Sequence, residues 1–410
     1  MKLASLSLIG LVSLGGAVLA QEQKWPDGKG KDVVSTVCVG CHEARRFTAG
    51  NGYTPEGWQT VLDMMKNIGA EIPADRFADV KDYLIANWPE KPKPKAVVIA
   101  GPAQVEFKSW PVPTPGSRPH DPLATPDGAI WWTGQSANKL GRIDPKTGEM
   151  KEFTLKTRLS GPHGLLDDRE GNIWYAGNWA AHLGVLNPKT GEITEYPMPD
   201  PKAKDPHTLI FDKDYKNMFF TLQTANMVGR MNMATKEIKL ITMPLPRSQP
   251  YGIVFDSKGT VWFEEFGGPR LASLDPQTMA LKEYTLPNAD TRPRRLAITS
   301  DDKLWYTDYS RGYLGMYDTV SGQTKEWASP SGPKTYPYGI TVLDDIVWYV
   351  EGGSKPNLLV RFDPKSEQFQ SWEIPTGGGI VRNMMPTRDG KGLVIAESGV
   401  NRVGLINILK

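Results

Sequence analysis

IDPKTGE at residues 143–149 returns along the chain as LNPKTGE at 186–192, LDPQT at 274–278 and FDPK at 362–365. Weaker copies lie at 232, 318 and 407, so seven anchors follow one another at intervals of 43 to 45 residues. An interval of this length is typical of a four-stranded propeller blade. The seven copies therefore predict a seven-bladed β-propeller.

The best preserved copy, residues 162–199, indicates how one blade is built. PHGLL at 162–166 predicts an innermost strand, followed by a turn at DREGN, 168–172. IWYA at 173–176, HLGVL at 182–186 and EITEY at 192–196 predict the other three strands. Short β-branched and aromatic runs, punctuated by Gly, Pro and Asp, indicate an all-β domain and not a helical solenoid.

The two ends of the repeat region predict how the ring closes. The seventh copy ends at about Ile408, before a fourth strand can form, whereas VEFKSWPVP at 105–113 is an extra strand ahead of the first copy. Pairing the extra strand with the last blade would remove two exposed sheet edges. We therefore expect the propeller to span 104–410 and to be closed by an N-terminal strand.

The first 20 residues resemble a cleavable signal peptide. Lys2 precedes an apolar stretch that ends in Val18-Leu19-Ala20, the small-residue pattern that a signal peptidase recognises. The alternative is a membrane anchor, but the stretch is short and no later apolar run is long enough to span a bilayer. We expect a periplasmic protein that begins near Gln21 and has no membrane span after cleavage. Its net charge of +2, with interspersed signs, argues against a nucleic-acid partner.

Both cysteines of the chain lie in one motif, Cys38-Val39-Gly40-Cys41-His42. Two thiols three positions apart and followed directly by His are typical of covalent haem c attachment. Cys38 and Cys41 would form the thioether bonds, and His42 would ligate the haem iron. A redox disulfide or half a zinc site is the alternative, which the adjacent His and the lack of a second Cys pair disfavour.

Residues 21–90 resemble a small all-α class I cytochrome c domain. Helices are predicted from 32 to 36, from 55 to 65 and from 76 to 88. Met65 is the candidate sixth iron ligand, with Met64 second, because a thioether favours reduced iron. The alternative is that both are core methionines. The second helix has one apolar face, formed by Trp58, Val61, Leu62 and Met65. Residues 91–103, rich in Pro and Lys, predict a semi-rigid linker.

The propeller repeats resemble the virginiamycin B lyase (streptogramin lyase) family. PYGI at 250–253, GNIW at 171–174, LGRI at 140–143 and TGEITEY at 190–196 carry this resemblance. It implies a seven-bladed propeller and a magnesium-dependent C–O lyase acting on cyclic depsipeptides through two His and two Glu. The nearest match here is His163 with Asp205 and His207, but Leu222 stands where the second-strand Glu is expected. This departure disfavours the lyase activity.

Two positions in each repeat should meet at the mouth of the central channel, where first strands begin and second strands end. The first-strand position carries His120, His163, His207, Tyr251, Arg294, Tyr338 and, in the last copy, either Arg382 or Asn383. The second-strand position carries Gly134, Gly177, Leu222, Glu265, Asp308, Glu351 and Glu397. The remaining histidine, His182, lies in a third strand.

These positions predict a binding site at the channel mouth. We expect catalytic roles for His163, His207, Glu265, Asp308 and Glu351, and substrate contacts from His120, Tyr251, Arg294, Tyr338 and Arg382. The three histidines are candidates for an additional metal ion or a general base, or alternatively for structural hydrogen bonds between blades. Arg118, Arg292, Arg294, Arg295 and Arg382 would suit an anionic substrate or an acidic partner.

Three functions remain from the sequence. A haem fused to a binding propeller favours a periplasmic electron-transfer protein, either an oxidoreductase or its electron-transfer subunit, that serves a periplasmic redox partner. A lyase would leave the haem unused, because β-elimination transfers no net electrons. The third possibility is a non-catalytic docking module for a partner dehydrogenase.

Overall fold

The computed structural model describes residues 24–41 and 43–409. The predicted signal peptide and His42 lie outside these residues. In the described part of the chain, a small helical unit precedes a large all-β domain, and no helix is long and apolar enough to cross a membrane. The helices are α1 (Lys31–Thr36), α2 (Arg45–Thr48), α3 (Pro55–Asn67) and α4 (Phe77–Asn87), with short 3-10 turns at Cys38–Gly40, Ala74–Arg76 and Ser398–Val400.

Helix α3 begins where its sequence favours a helix start. Thr54 is the N-cap, and its Oγ1 accepts a hydrogen bond of 3.1 Å from the backbone N–H of Gly57. Pro55 occupies the first turn, where no N–H partner is needed. The helix buries Trp58 and Leu62 against α1 and α4 in an apolar core. This packing directs the predicted apolar face of α3 into the helical unit.

Seven four-stranded antiparallel sheets form the propeller, as predicted. Blades 1 to 3 are β2 (Pro119–Ala124), β3 (Ile130–Gly134), β4 (Lys139–Ile143) and β5 (Met150–Thr154); β6 (Pro162–Asp167), β7 (Ile173–Gly177), β8 (His182–Leu186) and β9 (Ile193–Pro197); β10 (Pro206–Phe211), β11 (Asn217–Leu222), β12 (Met227–Asn232) and β13 (Ile238–Thr242). Blades 4 to 6 are β14 (Pro250–Phe255), β15 (Val261–Glu265), β16 (Arg270–Leu274) and β17 (Leu281–Thr285); β18 (Pro293–Ile298), β19 (Lys303–Asp308), β20 (Tyr313–Asp318) and β21 (Thr324–Ala328); β22 (Pro337–Leu343), β23 (Ile346–Glu351), β24 (Leu358–Asp363) and β25 (Gln368–Glu373).

Blade 7 closes the ring in the predicted way. It consists of β26 (Val381–Pro386), β27 (Gly392–Glu397), β28 (Arg402–Leu409) and, as its outermost strand, β1 (Gln104–Pro111). The last two strands pair antiparallel from Gln104 with Leu409 to Pro111 with Arg402. Because the first and last strands of the propeller share one sheet, opening the ring would require separating a complete strand pair.

Glycine in the third strand makes room for an aromatic ring from the second. In blade 2, a Cβ on Gly184 would lie only 2.1 Å from the Tyr175 ring, which is fully buried. The same relation joins Gly141 to Trp132, and Gly315 to Tyr306. The recurring Gly of the repeat is therefore a packing requirement, because any larger side chain would collide with the buried ring.

The segment predicted as a linker lies along blade 6. The backbone of Ile99 exchanges hydrogen bonds with Ser371, and the backbone of Ala103 does so with the Gln370 side chain. Glu90 forms an ion pair with Lys355. These contacts connect the helical unit to the propeller through ordered chain.

The helical unit packs on the propeller face where the first strands begin. Asn67, at the end of α3, donates hydrogen bonds to the carbonyls of Pro115 (2.8 Å) and Gly116 (3.1 Å), which precede β2. The same helix contacts the turn Ser398–Val400, between β27 and β28. Both segments connect strands at the face that carries His120 and its equivalents. The helical unit therefore covers part of the predicted channel mouth.

Candidate functional site

An apolar cavity of about 460 Å³ lies in the helical unit and is closed on one side by the propeller. Its volume is in the range of known cofactor sites. The lining residues are Val37, Cys38, Cys41, Tyr53, Trp58, Val61, Leu62, Met65, Ile68, Ala70, Ile72, Leu84, Leu159 and Trp179. The cavity therefore contains both cysteines and the preferred methionine that the sequence singled out.

The chemistry of this lining fits a haem group. Cys38 and Cys41 are free thiols, which is the form that can become thioethers, and no disulfide joins them. Burial raises the pKa of Cys38 and keeps it a neutral thiol. The indole N–H of Trp58 donates 2.9 Å to the Trp88 carbonyl, so this buried polar group is satisfied. Met65 lines the cavity, whereas Met64 is not among its lining residues.

The propeller supplies two walls of the cavity, which the sequence analysis did not predict. Leu159 lies in the connection between β5 and β6, and Trp179 lies between β7 and β8. Gly161, with φ of 58°, passes so close to the indole that a Cβ would lie 2.2 Å from it. Blade 2 thus presents a fixed apolar surface to the cavity of the helical unit.

The seven first strands place their first-position side chains around the channel. Val381 pairs with Glu397 just as Pro119 pairs with Gly134, so Arg382 is the equivalent of His120 and Asn383 lies one residue further along the strand. This register shows that Arg382, and not Asn383, holds the first-strand position in the last blade, a choice that the sequence left open. The strand pairings also confirm the second-strand position in all seven blades.

Neighbouring rings of the first-strand position lie against each other. The ring centroids of His120 and His163 are 3.9 Å apart, those of His163 and His207 3.7 Å, and those of His207 and Tyr251 3.9 Å. All three histidines are buried, and burial is the main cause that lowers their pKa values. The structure therefore brings the predicted histidines together as neutral imidazoles.

Asp121 is the central charged residue of this cluster, and the sequence analysis missed it. One carboxylate oxygen, Oδ2, lies 3.1 Å from Nδ1 of His120 and 2.7 Å from Nδ1 of His163. The other, Oδ1, accepts from Arg295 at 2.9 Å and from Asn383. Burial by itself would raise the pKa of Asp121, but His163 and Arg295 outweigh it and lower the pKa well below its usual range.

Asp121 could have been recognised from the repeat. It follows directly on a first-strand histidine, at a position that is Gly in blades 2, 4 and 6. Ligand atoms of His120, Asp121 and His163 all lie within 4.8 Å of one another, which is compatible with a metal ion. However, the guanidinium of Arg295 is already paired with Oδ1 of Asp121, and its positive charge would repel a metal cation at this position.

The predicted catalytic carboxylates are engaged elsewhere. Glu265 forms an ion pair with Arg270 at 2.6 Å, Asp308 with Arg311 at 3.1 Å, and Glu351 accepts from the backbone N–H of Ser331 at 3.2 Å. In the described chain, no hydrogen bond or ion pair joins any of these carboxylates to the three histidines. The structure thus groups the histidines with Asp121 and places the second-strand carboxylates in separate, local networks.

Glu264 is a further buried carboxyl group that sequence reasoning missed. Its Oε1 accepts 2.6 Å from the backbone N–H of Gly252, whereas its Oε2 is buried without a hydrogen-bond partner in the described chain. Burial raises its pKa from the ordinary 4.5 to about 8. The side chain is therefore a neutral acid near neutral pH.

Replacing Glu264 by glutamine should flatten the pH dependence of stability. Because the folded state holds the Glu264 proton more tightly than the unfolded state, its contribution is complete below about pH 4.5 and is lost as pH rises through about 8. Urea unfolding midpoints should fall between about pH 5 and about pH 9 more steeply in the parent than in Glu264→Gln. Glu237→Gln, an exposed position, is the control. If the unfolding midpoint changed with pH equally in all three proteins, Glu264 would not have a raised pKa in the folded state.

Aromatic and guanidinium groups form the other half of the channel ring. The hydroxyls of Tyr251 and Tyr338 are hydrogen-bonded to each other. Burial alone would raise the pKa of Tyr338, but Arg294, Arg382 and Arg295 outweigh it and bring the value to about 8. Tyr338 is therefore the more acidic member of the pair, and its ring centroid lies 4.0 Å from the guanidinium of Arg294.

Comparisons with known proteins agree on the propeller. The model of the virginiamycin B lyase family matches residues 95–354. A structure of streptogramin B lyase is 25% identical over 74% of this chain and 98% of that chain, with a TM-score of 0.67. Virginiamycin B lyase from Staphylococcus aureus is 21% identical over 75% and 100% of the two chains, also with a TM-score of 0.67.

A more distant fold neighbour is hydrazine synthase from Kuenenia stuttgartiensis. It is 13% identical over 71% of this chain and 96% of that chain, with a TM-score of 0.59. At this identity the likeness concerns the fold alone. No curated protein sequence shows significant similarity to the chain.

Proposed function

Because this chain belongs to the virginiamycin B lyase family but joins its propeller to a helical unit with a haem-attachment motif, we propose that it is a periplasmic electron-transfer protein. In this proposal, residues 21–90 are a cytochrome c domain carrying one covalent haem c. The propeller binds a small-molecule substrate or a redox partner at its channel mouth. The protein acts as an oxidoreductase or as the electron-transfer subunit of one.

One observation carries this proposal. The thiols of Cys38 and Cys41 and the thioether of Met65 line a single apolar cavity, although Met65 lies in α3, well beyond Cys41 in the sequence. The propeller residues Leu159 and Trp179 form one wall of the cavity, on the face where His120, His163 and His207 begin their strands. A substrate bound at that face would lie next to the cofactor cavity.

Each group of side chains has a role in this proposal. Haem c, when bound, supplies a one-electron ferric–ferrous couple. Cys38 and Cys41 would hold the porphyrin, while His42 and Met65 would ligate its iron. Leu159 and Trp179 add apolar surface to the cavity wall, and a low dielectric strengthens the electrostatic effect of nearby groups. His163 and His207, neutral and in contact with each other at the channel, would accept a proton from a bound substrate.

The lyase alternative is opposed by two residues of this chain. Leu222, at the second-strand position of blade 3, is fully buried and can neither bind magnesium nor take a proton. Asp205, the nearest match to a magnesium-binding Glu, accepts from the backbone N–H groups of Thr224 at 2.7 Å and Ala225 at 3.1 Å. Ring opening of a cyclic depsipeptide that depends on magnesium and proceeds without haem would nevertheless establish the lyase.

Substrate-dependent reduction of the haem tests the leading proposal. Ferric holoprotein is mixed anaerobically with a panel of small organic acids, alcohols and aldehydes while the ferrous visible bands are monitored. We expect one compound to reduce the haem, and His163→Ala or His207→Ala to slow this reduction about 100-fold or more. His182→Ala, in the third strand of blade 2, should retain it. A dithionite-reducible haem that no compound reduces would favour the docking module.

Replacing Met65 by alanine should change the haem without removing it. If Met65 is the sixth ligand, its loss leaves an open or water-bound iron and lowers the reduction potential by on the order of 100 mV. The near-infrared charge-transfer band of methionine-ligated ferric haem should disappear as well. Met64→Ala is the matched control and should retain both the band and the potential. The reverse pattern would assign the ligand to Met64.

A further inference from the structure

Four arginines converge on the channel mouth, and only one has a carboxylate partner in the described chain. Arg295 is paired with Asp121. Arg118, Arg294 and Arg382 form no ion pair there, and the Nε atoms of Arg294 and Arg382 are buried without hydrogen-bond partners. Buried cationic groups are costly unless an anion compensates them. The channel mouth therefore carries an excess of positive charge among the described residues.

The positions of these arginines are defined by their neighbours. The Arg294 guanidinium lies 4.0 Å from the ring centroid of Tyr338, 4.2 Å from that of Tyr309 and 4.7 Å from that of Phe266. Such an aromatic enclosure holds the guanidinium through cation–π contacts, and the Nε atom of Arg294 has no hydrogen-bond partner in the described chain. Arg118 lies directly ahead of β2, and burial, followed by the charge of Arg382, lowers its pKa to about 9.

The rim beside these arginines is aromatic. Phe266 and Tyr309 are half-buried, and Tyr336, whose ring centroid is 5.1 Å from that of Tyr309, is 37% exposed. A bare inorganic anion would use the guanidinium groups but gain nothing from these rings. An organic anion with an apolar body would use both kinds of group.

We propose that Arg118, Arg294 and Arg382 bind the carboxylate of a small organic acid, whose apolar part rests on Phe266, Tyr309 and Tyr336. This inference rests on the proposed function and specifies its substrate class. Planar guanidinium groups can bind a carboxylate through two parallel hydrogen bonds, which orients the ligand as well as holding it. The bound acid would face the three histidines across the channel.

A second source of carboxylate is the haem itself. The helical unit is hydrogen-bonded through Asn67 to the carbonyls of Pro115 and Gly116, just ahead of Arg118, so a haem propionate is a competing partner of this arginine. The two sources differ in a measurable way. A free acid must bind to protein that already contains haem, whereas a propionate-binding arginine would influence the haem reduction potential and leave no site for added acid.

Isothermal titration calorimetry of the ferric holoprotein with benzoate, acetate and inorganic phosphate separates these cases. We expect saturable binding with benzoate tightest, acetate weaker and phosphate weakest. Arg294→Gln and Arg382→Gln should each weaken benzoate binding roughly tenfold or more. Arg142→Gln removes a guanidinium that is paired with Asp127 at 2.9 Å, away from the channel, and should leave the affinity unchanged. Circular dichroism verifies that each variant is folded. Arg294→Gln and Arg382→Gln are measured separately, so each tests the site without the other.

The outcomes are distinct. Absence of benzoate binding to the holoprotein, or equal binding by the parent and both folded variants, would overturn the site. The proposal would also fail if Arg118→Gln, Arg294→Gln and Arg382→Gln shifted the haem potential while no acid bound. This titration involves no electron transfer. Benzoate binding that requires the arginines would therefore support the site even if no compound reduced the haem. Failure of every compound to reduce the haem would count against the oxidoreductase and not against the carboxylate site.

Discussion

Replacing Cys38 and Cys41 together by alanine is expected to abolish covalent haem attachment. Both thiols line the apolar cavity, and the chain contains no other cysteine to replace them. Without thioether bonds, haem would be retained only by iron ligation and apolar contact, and it would be extracted by acidified organic solvent. Haem staining after denaturing electrophoresis and the pyridine haemochrome spectrum measure the loss.

The propeller provides the internal control for this experiment. None of its seven sheets includes a residue of the helical unit, so the β-rich circular dichroism spectrum should persist in the double variant. Met65→Ala serves as a second control, because it should retain covalent haem while altering the iron ligation. Covalent haem in the double variant would refute the proposed cytochrome c domain. So would a parent protein that carries no covalent haem after export and maturation.

Replacing Asp121 by alanine is expected to cause the largest loss of stability. Asp121 is 1% exposed and accepts a hydrogen bond of 2.9 Å from Arg295, which is itself only 4% exposed. Removing the carboxylate leaves a buried guanidinium without its counter-charge, which typically costs about 3–5 kcal/mol. The midpoint of thermal unfolding of the propeller should fall accordingly, because the network joins blades 1, 5 and 7.

Two comparisons separate the effect of charge from that of packing. Asp389→Ala alters an exposed turn in blade 7 and should cost at most about 1 kcal/mol. Combining Asp121→Ala with Arg295→Met removes both charges, so the double variant should be more stable than Asp121→Ala alone. If Asp121→Ala unfolds at the same temperature as the parent, the ion pair has no structural importance and the buried network has been misassigned.

The position of the helical unit relates the two candidate sites to each other. An apolar cavity in a unit that moved freely would have no particular relation to the channel. Here Asn67 is hydrogen-bonded to the backbone before β2, and Leu159 and Trp179 of blade 2 form part of the cavity wall. This arrangement supports a common role for the Cys38–Cys41 motif and the channel, which is why we propose electron transfer in preference to elimination chemistry.

The sequence by itself determined the architecture of the propeller and the apolar face of α3. Blades are built from contacts between consecutive strands, so their period is visible as the 43 to 45 residue spacing of the anchors. The closing strand β1 was predictable as well. The extra N-terminal strand and the incomplete last blade each had an unpaired edge, and pairing them with each other satisfies both. Helix α3 was recognisable for the same local reason, since Trp58, Leu62 and Met65 recur at helical spacing.

Only the tertiary structure decided what surrounds each candidate site residue. Asp121 meets Arg295 and Asn383 across 174 and 262 residues of sequence, and no local period encodes such contacts. For the same reason, the walls Leu159 and Trp179 and the propeller face covered by the helical unit could not be inferred from the repeat. Glu265, Asp308 and Glu351 share one repeat position, but their hydrogen-bond partners depend on neighbouring loops that differ from blade to blade. The sequence period specifies the strand position of a residue, whereas long-range packing decides which groups its side chain contacts.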